Sequence, residues 1–380
     1  MPSATHTDLS PELLAHMQAI QAKAREYGLD FYETIFEVLP FEVMNQIAAF
    51  QGFPVRYPHW RCGMEYEKLS KRDVYGLGRI YEMVINNDPC YAYLQESNAV
   101  TDQKLVMAHV YGHADFFKHN FWFSKTNRKM MDEMANHATR IRRHIDRHGQ
   151  ETVEHFIDAC LSIEHLIDPH SQFMQRDEPR TRAGQKLDPG RSLDDIERTG
   201  SAAGFEPQKL PAKGYMDPFI NPQHEMERQK KEYEDRAKAA KGRFPDRPTR
   251  DILQFLLRHA PLEPWQQDIL AIIRDEAYYF APQAMTKIMN EGWASYWHST
   301  IMTRQGVTSA EVVNYCDHHS GTLASSPTQL NPYKLGIELF RDIEDRWNRG
   351  AFGKEYDECD DHRTRCEWNT DTGVGREKIF

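Results

Sequence analysis

Apolar residues recur every three or four positions through most of this 380-residue chain, and that spacing constrains the fold more than any other feature. Alanine, leucine, glutamate, lysine, arginine and 15 methionines are common, and these residues favour helices. The pattern predicts a mostly α-helical protein with little β structure. Helices are predicted over residues 11–27, 36–50, 75–85, 104–117, 128–148, 151–167, 250–259, 264–289, 290–302 and 331–349.

The composition changes in the middle of the chain. Of the 80 residues from 171 to 250, 31 are charged, and this stretch holds eight of the chain's 20 prolines. We predict an N-terminal helical part over residues 1–170, a charged and proline-rich insertion over 171–250, and a C-terminal helical part over 251–380 that packs with the first as one unit. The insertion is either a linker or a folded-over segment, with one solvated helix over 225–241.

The charge balance and the N-terminal sequence bear on location and partners. With 47 basic and 57 acidic residues the net charge is −10, which argues against nucleic-acid binding as the main task. No stretch is long and apolar enough for a membrane span, and the first ten residues do not form a secretory signal. We therefore expect a cytoplasmic protein; its oligomeric state stays open.

Two histidines carry the clearest chemical signal. His109 and His113 are four residues apart on a predicted helix, so at about 100° per residue they lie about 40° from each other on one face. Two imidazoles in this arrangement can bind one metal ion. In HExxH enzymes a glutamate follows the first histidine and acts as the base, but Val110 occupies that position here.

A second segment, NEGWASY at residues 290–296, resembles the NEGFAxY helix of aminopeptidase N-like zincins. That resemblance implies that Glu291 is the third zinc ligand beside His109 and His113. His298 lies seven residues further on, near the same helical face, and is either a fourth ligand or a lining residue. Zinc is the expected ion, although a His/His/Glu set also suits other divalent transition metals.

Candidate catalytic residues must replace the missing glutamate. Glu276 lies among aromatic residues that would raise its pKa, and Glu65 and Glu67 are further candidate bases. The segments DHHSG and NPYKLG resemble the carboxypeptidase Taq type of helical zincin. This resemblance implies that His318 or His319, together with Tyr333, donates hydrogen bonds to an oxyanion.

Other metal sites are weaker alternatives. Glu133 and His137, and likewise Glu151 and His155, have ExxxH spacing instead of the ExxH spacing of di-iron bundles. Six cysteines without a CxxC pair predict reduced thiols, although Cys359, His362 and Cys366 lie close together in the sequence.

Longer characteristic strings occur along the chain: YGLGRIYEMVINNDPCYAYL, QKLVMAHVYGHADFFKHN, DACLSIEHLIDPHS, FLLRHAPLEPWQQDILAIIRDEAYYFAPQ, TKIMNEGWASYWH, HHSGTLASSPTQLNPYKLGIELFRDIEDRWN and GREKIF. With the motifs above, they resemble the SpoVR (stage V sporulation protein R) family over nearly the whole chain. The resemblance implies a helical cytoplasmic protein linked to formation of the spore cortex, with a PrkA-type serine kinase and a YhbH-like protein of von Willebrand factor A type as partners. Family members usually continue beyond the GREKIF segment, so we expect a further C-terminal domain to be missing.

Two functions fit these features. The first is a zinc hydrolase with a helical zincin-like metallohydrolase fold, acting on an amide bond of a peptide or of peptidoglycan, with a role in sporulation or stress response. The second is a non-catalytic metal-binding scaffold or regulator in the kinase pathway, which Val110 favours.

Overall fold

The computed structural model describes residues 9–74, 82–173, 250–325 and 327–380, together with scattered positions between 216 and 231. The chain divides into two compact units, one formed by residues 1–169 with 253–380 and the other by residues 170–252. The helix predicted over 225–241 lies largely outside the described residues.

The prediction of a mostly helical protein is confirmed. None of the helices in the described ranges combines the length and the apolarity that a membrane span needs. The helices are α1 (Pro11–Glu26), α2 (Phe41–Ala49), α3 (Trp60–Val74), α4 (Val100–His119), α5 (Met130–His148), α6 (Gln150–Ser162), α7 (Ile252–His259), α8 (Pro264–Ile301), α9 (Val312–Thr322), α10 (Pro332–Asn348), α11 (Lys354–Asp357), α12 (His362–Cys366) and α13 (Gly375–Ile379).

A small sheet replaces part of the predicted helical structure. Its strands are β1 (Thr34–Leu39), β2 (Glu82–Ile85) and β3 (Cys90–Gln95), in the order β1-β3-β2. β1 is parallel to β3, with Thr34 opposite Cys90, and β2 is antiparallel to β3.

The helix predicted over 36–50 is therefore wrong in its first part, and the helix predicted over 75–85 is wrong at residues 82–85. Pro40 fits the start of a helix and separates β1 from α2. The sequence TIFEVL of β1 is rich in β-branched and apolar residues, which suits a strand with a buried face.

Helix α8 is a single helix of 38 residues where the sequence predicted two. It begins with a capping box, in which Glu263 and Gln266 exchange side-chain to backbone hydrogen bonds, and it continues past Pro282. At 1.5 Å per residue its length is about 57 Å. Residues near the two ends of α8 therefore lie far apart and contact different parts of the protein.

Helices α4 and α8 meet in the main hydrophobic core. Val110, Tyr111 and Trp297 are fully buried there, and Phe36 of β1 contacts the edge of the Tyr111 ring. Fifteen of the 20 residues of α4 are buried, so this helix is enclosed by other elements along most of its length. The face that carries His109 and His113 is therefore held in a fixed position against α8.

Candidate metal centre

Helices α4 and α8 bring two histidines and one glutamate together. The Nε2 atoms of His109 and of His113 each lie 3.5 Å from Oε2 of Glu291. Among the described residues, these three side chains form the group of potential ligands whose atoms lie within 4.8 Å of one another. Both histidines are buried, and the Glu291 side chain is 16 % exposed.

The spacing of these atoms fits a divalent ion. Ligands at 2.0–2.1 Å from a tetrahedral zinc ion lie about 3.4 Å from one another, close to the observed 3.5 Å. Oε2 of Glu291 is buried and accepts no hydrogen bond from the described residues. A buried carboxylate oxygen normally has a partner, so a cation among the three side chains would satisfy this atom.

The electrostatics favour an ionised glutamate. Burial would raise the pKa of Glu291, but the two neighbouring imidazoles outweigh burial and hold its pKa well below the usual range. With both imidazoles neutral, the group offers two nitrogen lone pairs and one anionic oxygen, a donor set common to zinc sites.

Each histidine is also held at its other ring nitrogen. Oδ1 of Asn290 accepts a hydrogen bond from Nδ1 of His113 at 2.8 Å. Nδ1 of His109 lies 2.8 Å from Nδ1 of His298, and Nε2 of His298 lies 3.0 Å from Nδ1 of His319. Such contacts fix the tautomer and the ring orientation of a metal-binding histidine, so that Nε2 faces the ion.

His298 does not lie where a fourth ligand would. Both of its nitrogens contact other imidazoles, and it is outside the group of potential ligands. Its burial, together with the neighbouring His109 and His319, lowers its pKa well below the usual value, so its ring is neutral. His298 contacts the Nδ1 atom of His109, the ring nitrogen that does not face Glu291. This position corrects the predicted role of His298 as a ligand.

Glu276 lies in a separate buried cluster. It forms an ion pair with Arg56, and it also contacts Tyr57 at 3.4 Å and His137 at 3.1 Å. It precedes Glu291 by 15 residues on α8, which is about 22 Å along the helix axis. At that distance Glu276 cannot take a proton from a reactant at the histidine pair, so its predicted role as the base is wrong.

The other predicted catalytic residues have mixed positions. Tyr333 is near the centre, with its ring 6.1 Å from that of His109. His319 contacts His298, and His318 contacts Asp102 of α4 at 3.0 Å. Asp102 lies seven residues before His109, and the oxyanion role of either histidine stays a prediction.

The two other candidate bases pair with lysines on the surface of α3. Glu65 contacts Lys68, and Glu67 contacts Lys71. Exposed pairs of this kind explain these glutamates without a catalytic role.

The valine at the usual glutamate position has a structural explanation. Val110 is completely buried in the apolar core, about 100° around α4 from His109 and about 60° from His113. A carboxylate there would lose its hydration without gaining a partner, which is unfavourable.

The alternative metal sites are not formed by the described residues. His137 contacts Glu276, and His144 contacts Asp268 at 2.7 Å. All six cysteines are free, and Sγ of Cys366 lies 3.6 Å from a ring nitrogen of exposed His362.

A pocket of about 200 Å³ opens beside the three candidate ligands. Glu291 and His113 form part of its wall, together with Asn290 and Tyr333. Asn290 is not among the functional residues predicted from the sequence, although its position next to Glu291 in the NEGWASY segment was a usable signal.

The fold and the site define a mostly helical protein in which a histidine pair of one helix faces a glutamate of another. The family model described as SpoVR like protein matches residues 8–380, and the chain belongs to this family. The chain is 32 % identical over 351 residues to the uncharacterized protein YcgB of Escherichia coli (strain K12). The alignment covers 87 % of this chain and spans 62 % of that relative's length. No solved structure matches the chain.

Proposed function

We propose that this protein is a zinc-dependent hydrolase of amide bonds, with His109, His113 and Glu291 as the metal ligands. The observation that carries the proposal is Oε2 of Glu291, which is buried without a hydrogen bond, lies 3.5 Å from both histidine nitrogens and belongs to a residue in a pocket wall. Three protein ligands beside an open pocket are typical of catalytic zinc, whereas structural zinc has four protein ligands.

The residues around the metal site and in the pocket would have different roles in the reaction. Bound zinc supplies a Lewis acid that polarises a carbonyl group and lowers the pKa of water. Asn290 and His298 hold the two histidine rings in place. Tyr333 lines the pocket with its ring 6.1 Å from that of His109, and it would donate its hydroxyl hydrogen to an oxyanion. This arrangement supports a zincin-type hydrolase acting on a peptide or on peptidoglycan.

A second function is favoured by Val110. The usual glutamate position lies in the apolar core, and this is the state expected of a protein that has kept a metal site for folding and lost catalysis. In this alternative the protein is a scaffold or regulator. Membership of the SpoVR family supports placing either function in the cytoplasm, beside a PrkA-type kinase and a YhbH-like protein, in sporulation or stress response.

Metal analysis of the purified protein tests the first part of the proposal. We expect one equivalent of zinc per chain by elemental analysis. Glu291→Gln and His113→Ala should each weaken zinc binding by more than the roughly 10- to 100-fold that an outer contact contributes. Glu67→Gln, a change in an exposed surface pair, is the matched control and should bind zinc normally. Equal zinc affinity in all these proteins would contradict the proposed ligands.

Activity then separates the two functions. The zinc-loaded protein should release amine from a peptide library, and a chelator should abolish this release. If zinc raises thermal stability but no library member or peptidoglycan fragment is cleaved, the scaffold function is the correct one.

A further inference from the structure

We infer that the pocket beside the metal ligands binds an uncharged group that carries an aromatic or bulky apolar side chain, so that the bond cleaved is the amide next to that group. The inference rests on the proposed function and adds its substrate class. It is carried by the rings and amides that form the pocket wall.

One wall of the pocket begins directly beside the metal ligands. The ring of Phe117 lies parallel to that of His113, with the centroids 6.1 Å apart and an interplanar angle of 14°. Phe123 packs on Phe117 at 4.8 Å, and both phenylalanines are buried pocket-lining residues. A side chain attached next to a carbonyl group at the histidines is therefore within reach of this aromatic wall.

A second aromatic group completes the pocket. Phe53, which follows α2, contacts the edges of the Tyr279 and Phe280 rings of α8, with centroids 5.6 Å and 6.1 Å away. All three residues line the same pocket. Its volume of about 200 Å³ corresponds to roughly seven water molecules at ~30 Å³ each, which is room for one large side chain. Burial of an apolar group between such rings is favourable.

Apart from the two metal ligands and the two tyrosines, the polar side chains of the wall are amides. Gln51 and Gln283 line the pocket and are exposed, so they can meet an entering ligand. Oε1 of Gln51 accepts a hydrogen bond from Arg56, which leaves the amide NH2 group as the donor that Gln51 offers to a ligand. Arg56 itself is paired with Glu276, so its positive charge is already balanced. Amide donors and acceptors suit the carbonyl and N–H groups of an uncharged substrate.

Hydroxamates test this inference because they bind zinc through a common group and can carry different side chains. We would measure the affinity of the zinc-loaded protein for acetohydroxamic acid, 3-phenylpropionohydroxamic acid, succinic monohydroxamic acid and 3-aminopropionohydroxamic acid by calorimetry. The phenyl compound should bind roughly 10- to 100-fold more tightly than acetohydroxamic acid, the gain expected from burial of an aromatic side chain. The anionic and cationic compounds should show no such gain.

Two variants assign the effect to this pocket. Phe117→Leu keeps an apolar residue but removes the ring, and it should reduce the gain of the phenyl compound. Gln283→Arg places a positive charge at the pocket and should improve binding of the succinic compound. Its matched control is Ala284→Arg, at an exposed neighbouring position outside the pocket wall, which should leave all four affinities unchanged. Thermal denaturation checks that each variant is folded.

The outcomes separate this inference from the proposed function. Failure to bind zinc overturns both. If acetohydroxamic acid binds in a zinc-dependent manner but the phenyl group adds nothing, or if Gln283→Arg behaves like Ala284→Arg, the metal site stands and the inferred substrate class is wrong.

Discussion

Gly112 of α4 packs directly against Ala294 of α8. A Cβ atom at Gly112 would lie 2.7 Å from Cα and 3.2 Å from Cβ of Ala294, closer than atoms of this kind approach. Gly112 stands immediately before His113, and Ala294 is three residues after Glu291. The missing side chain therefore allows the two helices to approach closely at the level of the candidate ligands.

Substitution of this glycine should disturb the site. We expect Gly112→Ala to push α4 and α8 apart, to lower the free energy of unfolding by about 1–3 kcal/mol and to weaken zinc binding. Urea denaturation of the metal-free protein and zinc titration measure the two effects. Gly63→Ala is the control: Gly63 is exposed on α3 with nothing within 4 Å of the added Cβ, and its replacement should stabilise the protein by about 0.5–1 kcal/mol. Wild-type stability and zinc affinity in Gly112→Ala would show that the helices do not need this contact.

His298 should set the strength of metal binding without being a ligand. When Nε2 of His109 binds an ion, its Nδ1 carries the proton and donates to Nδ1 of His298. We expect His298→Ala to weaken zinc binding by roughly 10- to 100-fold, as loss of an outer hydrogen bond does. His298→Asn, which keeps an acceptor oxygen, should recover part of the affinity.

The control for this prediction is a nearby histidine of α9. His318 contacts Asp102 and is outside the group of candidate ligands, so His318→Ala should bind zinc as the wild type does. Competition with a chromophoric chelator measures all three affinities. A loss in His298→Ala as complete as that in Glu291→Gln would instead indicate that His298 is itself a ligand.

Local patterns predicted most of the long helices, although not α3 or α9, and they predicted the pair of histidines. A spacing of four residues places His109 and His113 on one face whatever the rest of the protein does, because the helix period alone decides it. Glu291 lies 178 residues after His113 in the sequence. Its position beside the two histidines was expected only from the resemblance of the NEGWASY segment to zincins. No periodicity could indicate that α4 and α8 would cross at this point.

Properties that depend on tertiary contacts could not be predicted in this way. The roles of Asn290 and His298 depend on which nitrogen of each ligand faces α8. Glu276 was chosen for its aromatic neighbours in sequence, but its partner Arg56 is 220 residues away. Strand β2 has only four residues, too few to show a period, and is defined by its pairing with β3.

The Glu276 cluster should be needed for stability and not for metal binding. Arg56 and Glu276 are both buried, so removal of one partner leaves an uncompensated charge. We expect Glu276→Leu to lower the free energy of unfolding by about 3–5 kcal/mol. The double variant Arg56→Met with Glu276→Leu should recover much of this loss, because no charge then remains buried. Zinc affinity should be unchanged in the folded fraction, and a selective loss of metal binding at wild-type stability would show that Glu276 acts on the metal centre after all.

A second ion pair predicts a defined response to acid. Nζ of Lys104 lies 2.8 Å from Oε1 of Glu311, which connects α4 to the segment preceding α9. Partial burial would raise the pKa of Glu311, but hydrogen bonds from Lys104 and Thr308 prevail and lower its pKa to about 2, from an ordinary value of 4.5. Because the pKa is lower in the folded state, the pair stabilises the protein fully above pH 4.5, and this contribution is lost as the pH falls towards 2.

Comparison with a neutral variant isolates this effect. Glu311→Gln should be less stable than the wild type at neutral pH, and the difference in the free energy of unfolding should shrink steadily between pH 4.5 and 2. Urea denaturation at a series of pH values measures it. Lys104→Met removes the main partner, so in this background the Glu311→Gln change should have a much smaller effect at neutral pH. A constant difference between wild type and Glu311→Gln across this pH range would mean that the carboxylate charge does not contribute, and that the hydrogen bonds to Thr308 alone hold the segment in place.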